Sequence, residues 1–296
     1  MFPGFDTSVV NTGQTTVFVR RGGKGRPLLL LHGFPETHLM WHRIAPALAD
    51  AFTVICADLR GYGASGKPPS TPDHEAYSKS EMALDMINMM TALGHSRFAV
   101  AGHDRGARVA YRMALEHTDH VDRLAVLDVI PGSEAVQRAD SRFALSFWPW
   151  SVLSQPAPLP ELLIAGAEEA IVDDALSRWG SDAGSFPPEV REAYVAALRD
   201  PETARAICEE YRASVTVDVE RDRKDREAGR MIQCPTLALW SEGGALDTWY
   251  QGAGGPLGIW RDWAVDVRGR ALPGGHFFPE ANPDETLAEL RAFFAQ

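Results

Sequence analysis

Seven consecutive residues constrain this chain more than any others: Val100-Ala101-Gly102-His103-Asp104-Arg105-Gly106. An apolar strand runs into Gly-x-Asp-x-Gly, and a helical stretch (Val109, Tyr111, Met113, Ala114) follows at once. Strand, tight turn and helix in this order form an elbow that presents a nucleophile above a sheet, here Asp104. The glycines leave room for the turn, and the helix N-terminus favours a negative charge. No Gly-x-Ser-x-Gly occurs, which argues against a serine esterase. The choice of Asp has a chemical reason. A carboxylate that attacks a saturated carbon makes an ester, which can be hydrolysed at the enzyme's own carbonyl, whereas a serine would make a dead-end ether. Asp104 therefore points to displacement at sp³ carbon, as in a carbon–halogen bond or an epoxide. The competing reading is an Asp that merely caps the helix.

The rest of the first half repeats the strand–helix rhythm. Thr15 to Arg20, Pro27 to His32, Phe52 to Asp58, Phe98 to Asp104 and Arg123 to Val129 read as strands, several apolar on both faces. Met82, Met86, Met89, Met90 and Leu93 fall on one helical stripe ending at Gly94, which core packing explains. Alternation of this kind predicts an α/β fold with a mostly parallel central sheet flanked by helices. The rhythm stops near Pro131. Residues 133–230 are rich in Glu, Ala, Leu and Arg, with prolines as breaks, and read as an inserted helical cap. Strands resume at Thr236 to Glu242 and around Trp263 to Val267, and Pro283 to Phe294 reads as a closing helix. The expected division is a core of 1–132 and 231–296 under a cap of 133–230, which would cover the C-terminal strand edge where α/β ligands bind.

The partners such a nucleophile needs are present. His276 lies in Pro273-Gly274-Gly275-His276-Phe277, after the last strand, and is the candidate base. Asp128, at a strand end, is the favoured orienting acid, with Asp247 as the alternative. Backbone N–H groups of Phe34, in His32-Gly33-Phe34-Pro35, and of Arg105 are placed to form an oxyanion hole. His38 with His42, and His117 with His120, have helical spacing but no third-ligand pattern, so no metal is expected. No cofactor is expected either.

Composition narrows the partners. With 29 basic and 40 acidic residues the net charge is −11, the wrong sign for nucleic acid. No segment approaches the roughly 20 apolar residues of a membrane span. The N-terminal segment lacks the marks of an export signal. Cys56, Cys208 and Cys234 are odd in number and widely spaced, which predicts free thiols and a cytoplasmic location.

Taken together, these residues resemble the α/β-hydrolase superfamily. His32-Gly33-Phe34-Pro35 and Asp-x-Arg-Gly-x-Gly at Asp58 to Gly63 are widespread among its epoxide hydrolases and haloalkane dehalogenases. Within it the chain is similar to the fluoroacetate (haloacetate) dehalogenases. Gly-His-Asp-Arg-Gly-x-Arg at Gly102 to Arg108 carries that likeness, supported by Gln155-Pro156-Ala157-Pro158, Glu210-Tyr211-Arg212-Ala213 and Pro273 to Phe278. Epoxide hydrolases usually have Trp where this chain has Arg105. The resemblance implies that Arg105 and Arg108 clamp a substrate carboxylate, and their i, i+3 spacing lets both face one pocket. It also implies a halide cradle of a His-Trp pair and a Tyr. Trp150 and Tyr211 match, but Pro149 stands where the family has the histidine.

The expected activity is hydrolysis of short 2-haloacids through an aspartyl ester, with chloro- and bromoacetate favoured over fluoroacetate because one halide donor is missing. The alternatives are an epoxide hydrolase, for which Tyr211 is one candidate acid, and a non-catalytic small-anion binder. The small anionic substrate aside, a homodimer is expected from the resemblance alone.

Overall fold

The computed structural model describes residues 1–296, the side chain of Ala183 excepted. These form strands β1 (Asp6–Asn11), β2 (Thr16–Gly22), β3 (Arg26–Leu31), β4 (Phe52–Ala57), β5 (Phe98–His103), β6 (Val121–Leu127), β7 (Thr236–Ser241) and β8 (Val267–Leu272). All belong to one sheet, ordered β1-β2-β4-β3-β5-β6-β7-β8. The β1–β2 and β2–β4 pairs are antiparallel and every later pair is parallel. The pleat splits each central strand between two cores. Leu29 and Leu31 pack with Ile55, Val100 and the methionine stripe, while Leu28 and Leu30 pack with Trp41, Leu48 and Phe293. Burial on both faces is why β3 has no polar alternation.

The methionine stripe sits on the Lys79–Ala92 helix, capped by the Ser78 hydroxyl, with Met82, Met86, Met89 and Met90 fully buried. Gly94 follows at φ +87°, the left-handed conformation that ends the helix. The closing helix spans Pro283–Phe294.

A run of helices from Gly132 to Glu227 lies between β6 and β7. It is tied to the elbow helix, Asp104–Glu116, by buried charges. Arg112 pairs with Asp222 and Asp225, and the Tyr111 hydroxyl donates to Asp222 at 3.0 Å.

Two parts of the sheet depart from expectation. The last strand is Val267–Leu272 rather than Trp263 to Val267. Trp263 and Ala264 are buried, but in a loop joined to the segment before β7 by an isolated bridge from Ala264 to Ile232. Apolar character there reports core contact and not extension. As an edge strand, β8 instead alternates exposed Arg268 and Arg270 with partly buried neighbours. At the opposite edge, β1 is almost wholly exposed, so its residues carry no apolar signal to read.

Candidate active site

β5 ends at His103 and the helix begins at Asp104, whose φ of +44° marks the strained turn of the elbow. Tight backbone packing forces the flanking glycines. A Cβ on Gly102 would lie 2.4 Å from the Gly106 carbonyl oxygen, and one on Gly106 the same distance from that of His32. Gly33 meets Asp104 itself, where a Cβ would lie 2.6 Å from the Asp104 Cβ.

One Asp104 carboxylate oxygen, Oδ2, accepts the Phe34 backbone N–H at 3.1 Å. Arg105 opens the helix, where the first-turn N–H groups have no partner within the helix. Burial pushes the Asp104 carboxyl up. The facing His276 ring and the positive charges of Arg105, His103 and Arg108 outweigh it and hold the group below the usual carboxylate range. Asp104 is therefore ionised at neutral pH.

His276 Nδ1 is 2.6 Å from Asp128 Oδ2, and Asp128 Oδ1 accepts the Ser241 N–H at 2.8 Å. Asp247 is engaged elsewhere, accepting from the Trp240 indole at 3.0 Å and the Gly243 N–H at 2.9 Å. With Nδ1 held by Asp128, Nε2 is the nitrogen free for chemistry. Like Asp104, Asp128 sits at positive φ, +53°, just after a strand.

A cavity of about 40 Å³ lies over the nucleophile, walled by Asp104, Arg108, Pro149, Trp150, Tyr211 and His276, among others. At about 10–15 Å³ per water this is room for about three waters, the scale of a molecule with a handful of heavy atoms. Asp128, Phe147, Trp179 and His276 also line an open cleft of about 990 Å³, which leads outward between the inserted helices and the loops after β7 and β8.

The two arginines differ. Arg108 lines the cavity, is 6% exposed, donates Nη1 to the Ile130 carbonyl at 3.0 Å and leaves its Nε unpaired. Among the described residues no carboxylate lies within ion-pair distance of it. Burial, and then the charge of Arg105, depress its pKa. Arg105 is not one of the cavity walls. Its Nε contacts both Glu210 carboxylate oxygens at 2.9 Å, its Nη2 also bonds Glu210 and Ser214, and Lys79 pairs with the same carboxylate. Only its Nη1 is buried without a partner. The guanidinium lies 4.1 Å from the centre of the Tyr211 ring, and that of Arg108 4.7 Å from the Trp150 ring. The role of Glu210 in neutralising Arg105 was not legible in the motif Glu210-Tyr211-Arg212-Ala213, because the two residues lie 105 positions apart.

In the inserted helices, Trp150 and Tyr211 have no hydrogen-bond acceptor among the described residues, and burial keeps the Tyr211 phenol protonated well past its ordinary range. Pro149 lines the same cavity. The neighbouring Trp148 indole is occupied, donating to Asp174 at 3.0 Å. Tyr250, which sequence reasoning missed, is a further wall of the cavity. It comes from the segment after β7, where no motif marks it.

This architecture is that of an α/β hydrolase: residues 26–253 match the family of the alpha/beta hydrolase fold. Over all 296 residues the chain is 43% identical to a fluoroacetate dehalogenase from a Burkholderia species, covering 95% of that protein. It is 31% identical to a soluble epoxide hydrolase from Corynebacterium sp. (strain C12), over 92% of this chain and 91% of that one. Among solved structures, an α/β hydrolase from Nostoc sp PCC 7120 superposes with a TM-score of 0.96 at 44% identity over 99% of both chains. A Pseudomonas aeruginosa protein described as an epoxide hydrolase, with bound MFA, gives 0.91 at 44% identity over 99% of this chain and 96% of that one. The chain belongs to the α/β-hydrolase superfamily and, within it, to the fluoroacetate dehalogenase family. It is a hydrolase.

Proposed function

We propose that this hydrolase acts on the carbon–halogen bond of short 2-haloacids, haloacetate above all, without a cofactor. The observation that carries this reading is Arg108, a buried cation without a carboxylate partner, lining a small cavity together with an ionised Asp104. An uncompensated buried charge is costly, and an anionic substrate would supply its counter-ion. Arg105, already neutralised by Glu210, would contribute only its unpaired Nη1 group.

With Oδ2 on the Phe34 N–H, Oδ1 is the oxygen free to attack Cα. The new C–O bond forms as the carbon–halogen bond breaks, and halide leaves toward the Trp150 indole and the Tyr211 hydroxyl. His276, oriented by Asp128, then takes a proton from water, whose oxygen adds to the Asp104 carbonyl carbon. The negative charge develops on Oδ2, against the N–H groups of Phe34 and Arg105. Collapse expels the glycolate oxygen, which takes the proton from His276, and Asp104 loses the proton of the added hydroxyl to solvent and is regenerated as the carboxylate. In this reading residues 133–230 act as a cap over a core of 1–132 and 231–296. The enzyme works as a homodimer in the cytoplasm, a location supported by the free thiols of Cys56, Cys208 and Cys234.

An epoxide hydrolase is the second reading. It is favoured by Tyr250 joining Tyr211 on the cavity wall, since two phenols are what epoxide protonation calls for. The test is incubation with fluoro-, chloro- and bromoacetate and with a neutral epoxide, following free halide, glycolate and diol. Halide with equimolar glycolate supports the dehalogenase. Diol without halide release overturns it.

A further inference from the structure

Behind the nucleophile lies a buried polar assembly that the reaction outlined above does not use. His103, fully buried, has both ring nitrogens on acceptors: Nδ1 is 3.0 Å from Glu36 Oε2, and Nε2 is 2.9 Å from the His276 backbone carbonyl. A neutral imidazole donates once, so two acceptors require the imidazolium. Glu36 Oε2 also accepts the Gly33 N–H at 3.2 Å, next to the Phe34 N–H that holds Asp104. The other oxygen, Oε1, has no partner among ordinary donors. Glu280 is also fully buried, and desolvation followed by the nearby Glu36 charge pushes its carboxyl well above the usual range. The Tyr194 hydroxyl, from an inserted helix, lies 3.2 Å from both Glu280 oxygens.

We infer that the His103–Glu36 pair is a positioning clamp for the hydrolytic half of the reaction. One imidazolium fastens the loop carrying the Phe34 donor, through Glu36, and the loop carrying His276, through its carbonyl. Both loops serve ester hydrolysis. Attack on Cα requires neither the base nor a second oxyanion donor, so the clamp acts mainly on the second step. The buried charge of His103 also sustains ionised Asp104, and burial together with Glu36 raises Glu280 well above the carboxyl range. The arrangement holds His103 charged at about pH 9 and below.

This inference rests on the aspartyl-ester reading. Rapid-quench turnover of chloroacetate by the full-length parent, Glu36→Gln, Glu280→Gln and His276→Asn tests both, following halide and the intact mass of the enzyme. Glu36→Gln is expected to give a halide burst of about one per site, with the ester accumulating and its hydrolysis slowed roughly 10- to 100-fold, up to the scale of one lost oxyanion donor. Glu280→Gln leaves the His103–Glu36 pair and its bond to Gly33 in place and is expected to keep hydrolysis within about threefold of the parent. Equal slowing of both half-reactions in Glu36→Gln, or no accumulation of ester, overturns the clamp. If Glu36→Gln does not fold, Glu36→Asp keeps the charge and is expected to show the same partition. Failure of both to fold assigns the pair to stability alone and overturns the proposal. If His276→Asn itself traps no ester, it is the aspartyl-ester reading that fails.

Discussion

The C-terminal edge of the sheet and the inserted helices meet at one small cavity, yet they are built by different rules. At the sheet edge, Phe34, Asp104, Asp128 and His276 each sit within a few residues of a strand end, and backbone sterics leave little choice of residue. In the inserted helices, Pro149, Trp150, Glu210 and Tyr211 stand on helices whose mutual packing sets their aim. The difference suggests a division of labour: bond-making is fixed by the sheet, and the choice of substrate and halide by the insertion.

The largest effect expected is at the sheet edge. Asp104→Asn leaves the fold intact but replaces the nucleophile with an amide, and removing a nucleophile costs on the order of 10⁴-fold or more in kcat. Halide release over many turnovers checks this, and sustained turnover without deamidation back to Asp would remove Asp104 from its role. The pH dependence sharpens the point. Because its charged neighbours hold the Asp104 pKa below the ordinary 3.8, the nucleophile stays ionised as pH falls and is lost only below that value. Single-turnover halide release is therefore expected to be flat from about pH 8 to about pH 5. A decline centred near neutrality would break the assignment.

The arginines test the boundary between the regions. Arg105→Gln strips the main counter-charge from buried Glu210 and leaves only Lys79, so a loss of about 3 kcal/mol in unfolding free energy is expected. Chemical denaturation measures it. Arg108→Gln breaks no ion pair and loses only the bond to the Ile130 carbonyl, so it should cost no more than about 1 kcal/mol of stability. Instead it should lower kcat/KM for chloroacetate roughly 10- to 150-fold, the worth of a charge-assisted bond of about 1.5–3 kcal/mol. A haloacetamide should lose far less. Equal losses for both substrates would mean that Arg108 is structural and that the cavity does not select anions.

How far each region can be read in the chain follows the same divide. The elbow, the base loop and the Phe34 donor are contiguous motifs, because local sterics and hydrogen bonds fix each within a few residues. Asp128 and Asp247 could not be separated by sequence, since both follow strands, and only the folded chain brings Asp128 onto His276. The partners that cross the fold were illegible: Glu210 on Arg105, Glu36 on His103, and Tyr250 in the cavity wall. Each pairing joins segments that neither spacing nor periodicity relates. The edge strands fail for a different reason. β1 is almost wholly exposed and β8 half-buried, and both lack the apolar run that marked β3.

The smallest effect expected lies wholly within the insertion, at Pro149. Fluoride is the poorest leaving group among the halides and depends most on donors as charge develops. Proline supplies none. The Trp150 indole and Tyr211 hydroxyl are free to donate, but Trp148, the neighbour best placed in sequence to compensate, is already committed to Asp174. Tyr250, with a hydroxyl, and Trp179, whose indole has no acceptor among the described residues, are further walls of this cavity. Chloroacetate is thus expected to outrun fluoroacetate in kcat/KM. Pro149→His should raise the fluoroacetate-to-chloroacetate ratio roughly 10-fold, less than the 10²–10³ of a fully preorganised donor because the new side chain must find its own aim. Pro149→His, Tyr250→Phe and Trp179→Phe separate the sources of a third donor. If the parent already prefers fluoroacetate and Tyr250→Phe removes that preference, the insertion still selects the halide, but through the segment after β7. If none of these substitutions moves the ratio, halide choice is set at the sheet edge and the division of labour fails.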